Sequence, residues 1–329
     1  MKACIHKLIN QNDLTQVETY DLFSQFSKAL PEQQASVIAL LRTKGETFEE
    51  ILAARNYLFE HTKQINFEED VVDIVGTGGD GIGTFNISTA ASLVIASCDV
   101  FVAKHSGNSV TSLSGSADVI THLGIKLIDN SEDIISSLQR NHYACMRAAL
   151  FNSKFKDYAN FRKNIGFPSI FNILGPLLNP IQPKKQVIGV YRKDLIKPVA
   201  TFLKHTGSKR ALVVHSEDGL DELGISAPTH IAELKEDHIV EYTVTPGDAG
   251  LPLSALHEVL GGTPAENAKI ITDILSGTLT GPKLDIVLLN SAAGLVVADV
   301  ATTLAQGVKI AREAIESGKT LELLNKLKL

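Results

Sequence analysis

Residues 73–84 read Asp-Ile-Val-Gly-Thr-Gly-Gly-Asp-Gly-Ile-Gly-Thr, with Gly76, Gly78, Gly79, Gly81 and Gly83 inside eight positions. Glycine at this density lets backbone N–H groups approach a ligand closely, and successive amides in such a turn make an anion-binding concavity. A helix expected to begin near Asn86 adds its N-terminal donors and the positive end of its dipole. Ser88 and Thr89 add hydroxyls. The chemistry this points to is phosphate binding. No Gly-Lys-Ser/Thr closes the loop, so it is not a Walker loop, and its glycine spacing does not match a dinucleotide fingerprint.

A second polar loop, KHSGNSVTSLSGSA, runs from Lys104, again just past a predicted strand. Lys104 offers a point charge to a phosphate oxygen. Ser109, Thr111, Ser112 and Ser116 offer hydroxyls, and His105 alone is a weaker signal. A third loop, residues 217–222, carries Glu217, Asp218, Asp221 and Glu222. Carboxylates this close repel unless a cation joins them. Read alone, the loop is equally a solvated acidic turn. Beside two phosphate-type loops, Mg²⁺ is favoured, because it binds through one or two carboxylates plus substrate phosphates. Arg162, next to Lys163, is either part of a solvated helix face or a bidentate partner for a carboxylate or phosphate.

The elements that must position these loops follow from periodicity. Residues 1–65 read as three short helices: one carrying QVETYDLFSQFSKAL, one opened by Pro31 and ended by Gly45, and one with a Thr47/Glu50 capping box. From residue 71 the texture changes to strand, glycine loop, small-residue helix and strand (100–103), an α/β rhythm with a parallel sheet. Residues 131–180 read as helix again, including EDIISSLQRNHYACMRAALF. Strands are then expected at 187–190, 211–214 and 239–244, with a helix from Pro264 to just before Gly277 and a helical tail. The fold class expected is α/β: a small discontinuous helical domain beside a larger α/β domain with a mainly parallel central sheet. Its division is residues 1–66 joined by a segment around 155–182, against 67–154 and 183–329.

The chain has 329 residues, 44% of them apolar and 21% charged, with 31 Lys and Arg against 37 Asp and Glu for a net charge of −6. A mildly acidic chain without a long basic run is a poor candidate for binding nucleic acid. Cys4, Cys98 and Cys145 lie far apart and form no Cys-x-x-Cys pair, which fits a reducing cytoplasm better than a disulfide framework. The N-terminus does not read as a signal peptide, and the longest apolar stretch, 286–298, is too short to span a membrane.

Taken in order, GTGGDGIGTFNISTA, the Lys-His loop followed by SGSADV, IFNILGPLLNP and DGLDE resemble the anthranilate phosphoribosyltransferase family, over nearly the whole chain. That family shares its fold with pyrimidine nucleoside phosphorylases and is usually a homodimer through the helical domain. The resemblance implies attack of anthranilate on phosphoribosyl pyrophosphate (PRPP), loss of pyrophosphate, and a place in tryptophan biosynthesis. It implies a PRPP site made of Gly76, Gly78, Gly79, Asp80, Thr84, Asn86, Ile87, Ser88 and Thr89. Lys104, His105, Ser106, Gly107, Asn108, Ser109, Val110, Thr111, Ser112 and Ser116 continue it. Ser88, Asp221 and Glu222 would hold Mg²⁺. Arg162 would meet the anthranilate carboxylate near Gly76, and Lys104, His105 and Arg162 form the catalytic set. The acceptor side departs from the family pattern: Lys104-His105-Ser106-Gly107-Asn108-Ser109 stands for Lys-His-Gly-Asn-Arg-Ser, RAALFNSKFKDYANF replaces a stretch with Tyr-His-Pro, and Pro168 replaces an arginine. The alternatives are a related transferase or nucleoside phosphorylase with another acceptor, or a nucleic-acid-binding relative without the activity.

Overall fold

The computed structural model describes residues 1–107 and 114–328, apart from the Lys156 side chain. Four helices, not three, open the chain: Lys2–Ile9, Gln16–Phe26, Pro31–Lys44 and Phe48–Phe59. The first has no side-chain cap, so little in its local sequence announces it. The second and fourth start on reciprocal capping boxes, Thr15 with Glu18 and Thr47 with Glu50. Their apolar faces pack around Phe23, Phe26, Ile38 and Leu58, together with Phe155, Tyr158, Phe171 and Leu174 from much later in the chain. The Phe26 ring lies edge-on to Tyr158, Phe161 and Phe171 at 5.4, 5.1 and 5.6 Å. Such aromatic pairs add to simple burial and fix the angle between the segments.

Seven strands form one sheet: β1 (Val72–Gly76), β2 (Val102–Ser106), β3 (Tyr143–Arg147), β4 (Lys185–Gly189), β5 (Arg210–Ser216), β6 (Thr229–Lys235) and β7 (His238–Val244). Their spatial order is β3-β2-β1-β4-β5-β6-β7. The first five run parallel, and β6 pairs antiparallel with both β5 and β7. The helix Ile87–Ala96 is buried along its whole length, as is nearly all of Pro282–Val297; both belong to the core on one face of the sheet. The long apolar stretch at 286–298 is therefore a core helix. No helix among the described residues is long and apolar enough to cross a membrane.

Two expectations need correction, and one strand is unexpected. YACMR is strand β3, not helix: His142 takes a left-handed conformation (φ 54°), ends the helix Ser131–Asn141, and releases the chain into the sheet. THIAELK, which gives no strand signal of its own, is β6, because pairing with β5 and β7 overrides the helical leaning of Ala-Glu-Leu-Lys. The strand expected at 100–103 begins two residues later and runs through Lys104 and His105 to Ser106. Those two side chains thus sit on a strand rather than on the loop after it.

From β1 the chain builds outward through β2 to β3, then returns to place β4 on the other side of β1. In a parallel sheet such a reversal opens a crevice beyond the carboxyl ends of the two strands, where ligands bind.

Candidate active site

At that crevice Gly76, the last residue of β1, is the register partner of Gly189, the last residue of β4. Neither has room for a side chain. A Cβ on Gly76 would run into the Asp221 carboxylate, and one on Gly189 would overlap the Asp221 main chain. The two glycines therefore let the loop after β5 cross the strand ends and deliver Asp221 to the reversal point. Asp221 Oδ2 there accepts a 2.5 Å hydrogen bond from the Gly78 amide. The next residue, Glu222, accepts from the Ser88 amide in the first turn of the helix Ile87–Ala96, at 3.2 Å. Glu217 and Asp218 turn elsewhere, to His230 at 2.9 Å and to the Ser226 hydroxyl.

The glycine loop is gripped from both sides. Gly79, at φ +87°, packs against Pro168; a Cβ there would lie 2.7 Å from Pro168 Cγ and 3.2 Å from Asn172 Nδ2. Asn172 also donates to the Thr77 carbonyl at 3.3 Å, which ties the helix Ile170–Leu177 to the loop. Farther along, Gly261 donates to the Gly83 carbonyl at 3.0 Å, and Thr84 bridges Leu260. Asn86 does not cap its helix. Its amide group binds the Ser114 carbonyl at 3.3 Å, and its oxygen accepts from Ser114 Oγ and Asn267 Nδ2, both at 3.1 Å. The Thr89 hydroxyl, in the first turn of that helix, is buried without a partner among the described residues.

Lys104 is 1% exposed. Its ammonium donates to the Ile74 carbonyl at 2.9 Å and to Ser88 Oγ at 3.4 Å, which sets it beneath the start of that same helix. Burial pulls its pKa down, while Asp73, Cys145 and Glu222 pull it back up. Asp73 is fully buried in β1, and burial raises it to about 6 against the opposing pull of Lys104 and Asn179. Asn179 Nδ2 bonds Asp73 Oδ2 and the Ala103 carbonyl, each at 2.9 Å, so it clamps β1 to β2 at Lys104. His105 donates from Nδ1 to the Gly175 carbonyl at 3.2 Å, leaving Nε2 buried and without a partner among the described residues; burial pushes its pKa down to about 4. Ser106 meets Cys145 Sγ at 3.1 Å.

The carboxylates are under strain as charges. Asp80 and Asp221 lie within hydrogen-bonding reach of each other. Burial raises Asp80, and it raises Asp221 well above the carboxylate range with Asp80 and Glu222 adding to the effect. Burial takes Glu222 to about 7 despite Lys104. One buried ammonium does not satisfy this acidity. Among the described residues no three His, Cys, Asp or Glu side chains form a metal cage by themselves. Two carboxylates and a hydroxyl make an open site of the kind Mg²⁺ completes with water and phosphate oxygens.

The sheet thus brings together the glycine loop, Ile87, Ser88, Thr89, Lys104, Asp221 and Glu222, with Ser116 opening the helix Ser116–His122 beyond Asn86 and Ser114. Arg162 stands apart on the helix Ala159–Ile165, its guanidinium 4.4 Å over the Phe155 ring. Burial lowers its pKa to about 10, and its Nε is buried with no acceptor among the described residues. Gly107 is described; Asn108, Ser109, Val110, Thr111 and Ser112 lie outside the described residues. Sequence reasoning missed Asp73, Asn172, Asn179, Gly189 and Asn267. Only Asp73, a charge inside a buried strand, carries a local signal.

Two family models cover the chain: the helical bundle domain of a glycosyl transferase family at residues 2–62 and its a/b domain at residues 68–321. A relative from Geobacter sulfurreducens named anthranilate phosphoribosyltransferase is 41% identical, over 99% of this chain and 98% of its own. One of the same name from Symbiobacterium thermophilum is 41% identical over 100% and 97%. Among solved structures, the anthranilate phosphoribosyltransferase of Thermus thermophilus superposes with a TM-score of 0.89 at 33% identity, covering 98% of both chains. That of Saccharomyces cerevisiae, in complex with PRPP and Mg, gives 0.88 at 28% identity, covering 99% of this chain and 96% of its own. With full-length relatives and both domain models in agreement, the chain belongs to the anthranilate phosphoribosyltransferase family.

Proposed function

We propose that this chain transfers the phosphoribosyl group of PRPP to the amine of anthranilate, giving N-(5-phosphoribosyl)anthranilate and pyrophosphate, a step of tryptophan biosynthesis. The observation that carries the reading is the crevice at the β1/β4 reversal, where a loop of glycine amides, a helix N-terminus, Lys104 and two buried carboxylates converge. We assign the glycine loop, Asn86, Ile87, Ser88, Thr89, the 104–112 stretch and Ser116 to PRPP, and the Arg162 guanidinium to the anthranilate carboxylate.

The donor set fits Mg²⁺: Asp221, Glu222 and the Ser88 hydroxyl are hard oxygen ligands, and burial raises both carboxyl groups, a penalty on their charged forms that a cation would relieve. When bound, Mg²⁺ would neutralise charge on the pyrophosphate oxygens. In the reaction the anthranilate nitrogen bonds to the anomeric carbon as the bond from that carbon to pyrophosphate oxygen breaks, the electron pair leaving with pyrophosphate and one amine proton passing from the nitrogen to solvent. The sugar becomes oxocarbenium-like in between. The loop amides and Lys104 stabilise the departing charge without reorganising, since their positions are fixed by the strand ends. Arg162 holds the amine toward the anomeric carbon. His105, neutral and bonded to Gly175, holds the helix Ile170–Leu177 against β2.

We place the domain division at 1–66 with 155–182 against 67–154 with 183–329, supported by the apolar cluster that unites Phe23 and Phe26 with Phe155 and Phe171. Two copies pair through the helical domain in this reading; Ile9, Val17 and Leu30 are large apolar side chains left 56, 72 and 63% exposed there. The unpaired cysteines accord with a cytoplasmic location.

Loss of anthranilate fluorescence on mixing with PRPP and Mg²⁺ tests the function, with pyrophosphate release as a second readout. A second reading, transfer to a different amine, is favoured by one feature: Pro168, where the family pattern has arginine, packs directly on Gly79. PRPP binding without any consumption of anthranilate would overturn the first reading in favour of the second.

A further inference from the structure

Asn86 precedes the helix Ile87–Ala96 and makes no capping bond to it, so its amide is oriented by other partners. Two buried residues stand behind it, Ser114 and, at 1% exposure, Asn267 in the helix Pro264–Leu275. An asparagine amide has an acceptor end and a donor end, and its neighbours decide which way each end faces.

Asn267 has one neighbour of fixed sense. The Gly262 amide can only donate, and Asn267 Oδ1 accepts from it at 2.8 Å. That commits the other end of Asn267, the Nδ2 donor, to Asn86, whose Oδ1 accepts at 3.1 Å. Ser114 fits the same sense. Its hydroxyl donates to Asn86 Oδ1 at 3.1 Å, and its carbonyl, which can only accept, takes Asn86 Nδ2 at 3.3 Å. Asn86 Nδ2 carries two hydrogens, and the Ser114 carbonyl uses one. The second is left on the one half-buried member of the three.

Backbone packing keeps Asn267 within reach. Gly261 donates to the Gly83 carbonyl at 3.0 Å. A Cβ on Gly261 would lie 2.6 Å from Phe85 N and Cα and 2.7 Å from Asn267 Oδ1. Only a bare backbone lets the 261–267 segment press this closely on residues 83–86.

We infer that Asn267 is a positioning residue for PRPP: by holding Asn86 Oδ1, it turns the Asn86 amide so that the Nδ2 donor faces a phosphoryl oxygen. This rests on the assignment of Asn86 to PRPP. The opposite orientation presents a carbonyl oxygen to an anion, which replaces a hydrogen bond by repulsion.

An acceptor-only replacement tests the idea. Asn267→Asp keeps the shape and the acceptor for Gly262, but it turns a carboxylate oxygen toward Asn86. A charge-assisted bond from Asn86 Nδ2 outweighs the neutral one to the Ser114 carbonyl, so the Asn86 amide turns over. Binding of PRPP with Mg²⁺ is measured by calorimetry without anthranilate, at about pH 8.5 so that the new carboxylate is ionised. The Kd for PRPP should rise on the order of 10–100-fold in Asn267→Asp, and roughly 2–10-fold in Asn267→Ala, which removes the bond without reversing it. A double-mutant cycle separates orientation from the added charge and from general damage to the fold. In an Asn86→Ala background each substitution at 267 should change the Kd by less than about twofold. If Asn267→Asp does not fold, Asn267→Ala carries the cycle. An equal cost with and without Asn86, or a wild-type Kd in both variants, overturns the inference while the PRPP assignment stands. Absence of PRPP binding by the wild-type protein overturns that assignment, and the inference with it.

Discussion

Gly189→Ala tests whether the strand-end crevice works by admitting the Asp221 loop. The added methyl adopts no strained backbone angle, so its whole effect comes from what it meets. It would overlap the carbonyl carbon and oxygen of Asp221 and sit 3.2 Å from its Cα. Packed carbon atoms keep about 3.5–4 Å. The obstacle is backbone, which cannot swing aside as a side-chain tip can. The 217–222 loop must therefore lift by on the order of an ångström or more, taking with it the carboxylate now 2.5 Å from the Gly78 amide. Misplacement on that scale costs about 100-fold in turnover, while overpacking costs about 1–3 kcal/mol of stability. The expected result is a folded protein with kcat down by about two orders of magnitude and a raised Mg²⁺ concentration for half-maximal rate. The control is Gly250→Ala, in the turn after Ala249. Its φ of +73° makes alanine strained, yet its Cβ meets nothing within 4 Å. It should lose about 1–2 kcal/mol of stability and leave the Mg²⁺ dependence alone. Steady-state rates across a Mg²⁺ titration, with urea unfolding of each variant, separate the two. Wild-type turnover and Mg²⁺ dependence in Gly189→Ala would refute the placement of Asp221 at the reacting end of the sheet.

Lys104→Ala and Asp221→Asn should each cut turnover by about 10²–10³-fold at saturating Mg²⁺; wild-type rates in both would remove them from the site. Arg162→Lys keeps the charge but loses the bidentate fork, so KM for anthranilate should rise on the order of tenfold with KM for PRPP little changed, and an equal shift in both constants would count against an acceptor role. His105 gives a pH effect on stability. Its folded pKa of about 4 lies below the ordinary 6.5, so as pH falls between those values the unfolded chain gains a proton that the native one refuses. Going from about pH 7.5 to about pH 5.5 should therefore cost roughly 1.3 kcal/mol through this residue, and His105→Gln should show a correspondingly smaller drop in urea-unfolding free energy. An identical drop in both proteins would mean the imidazole is not shielded as described.

What the sequence discloses about the fold divides by range of interaction. Helices with their own start signals are legible, as with Thr47 and Glu50, or Pro264 and Gly277, because the partners lie within one turn. Strand β3 is not, because YACMR is a short apolar run that periodicity cannot distinguish from helix, and only β2 beside it decides. Strand β6 fails for the same reason in a more polar form: Glu233 and Lys235 read as helix formers until β5 and β7 supply pairs. The glycine loop was legible because its composition is its function. The residues that hold it were not, since Asn179 acts on Asp73 across 106 positions and Asn267 on Asn86 across 181. An isolated asparagine looks alike in sequence whether it caps a helix, clamps two strands or faces water.

The same limit bears on charge. A net charge of −6 argues against an anionic substrate when spread over a surface. The fold does not spread it. Asp80, Asp221 and Glu222 are gathered at the point where donors for phosphate also converge, and burial raises all three carboxyl groups, Glu222 despite the opposing pull of Lys104. A site left this acidic repels PRPP, and a site with Lys104 alone would hold the leaving pyrophosphate weakly. Both difficulties disappear together if the carboxylates and the substrate oxygens share a divalent cation, because each then supplies ligands that the other lacks. Metal and PRPP should accordingly bind with positive coupling: each lowers the other's apparent Kd by one common factor, as linkage requires.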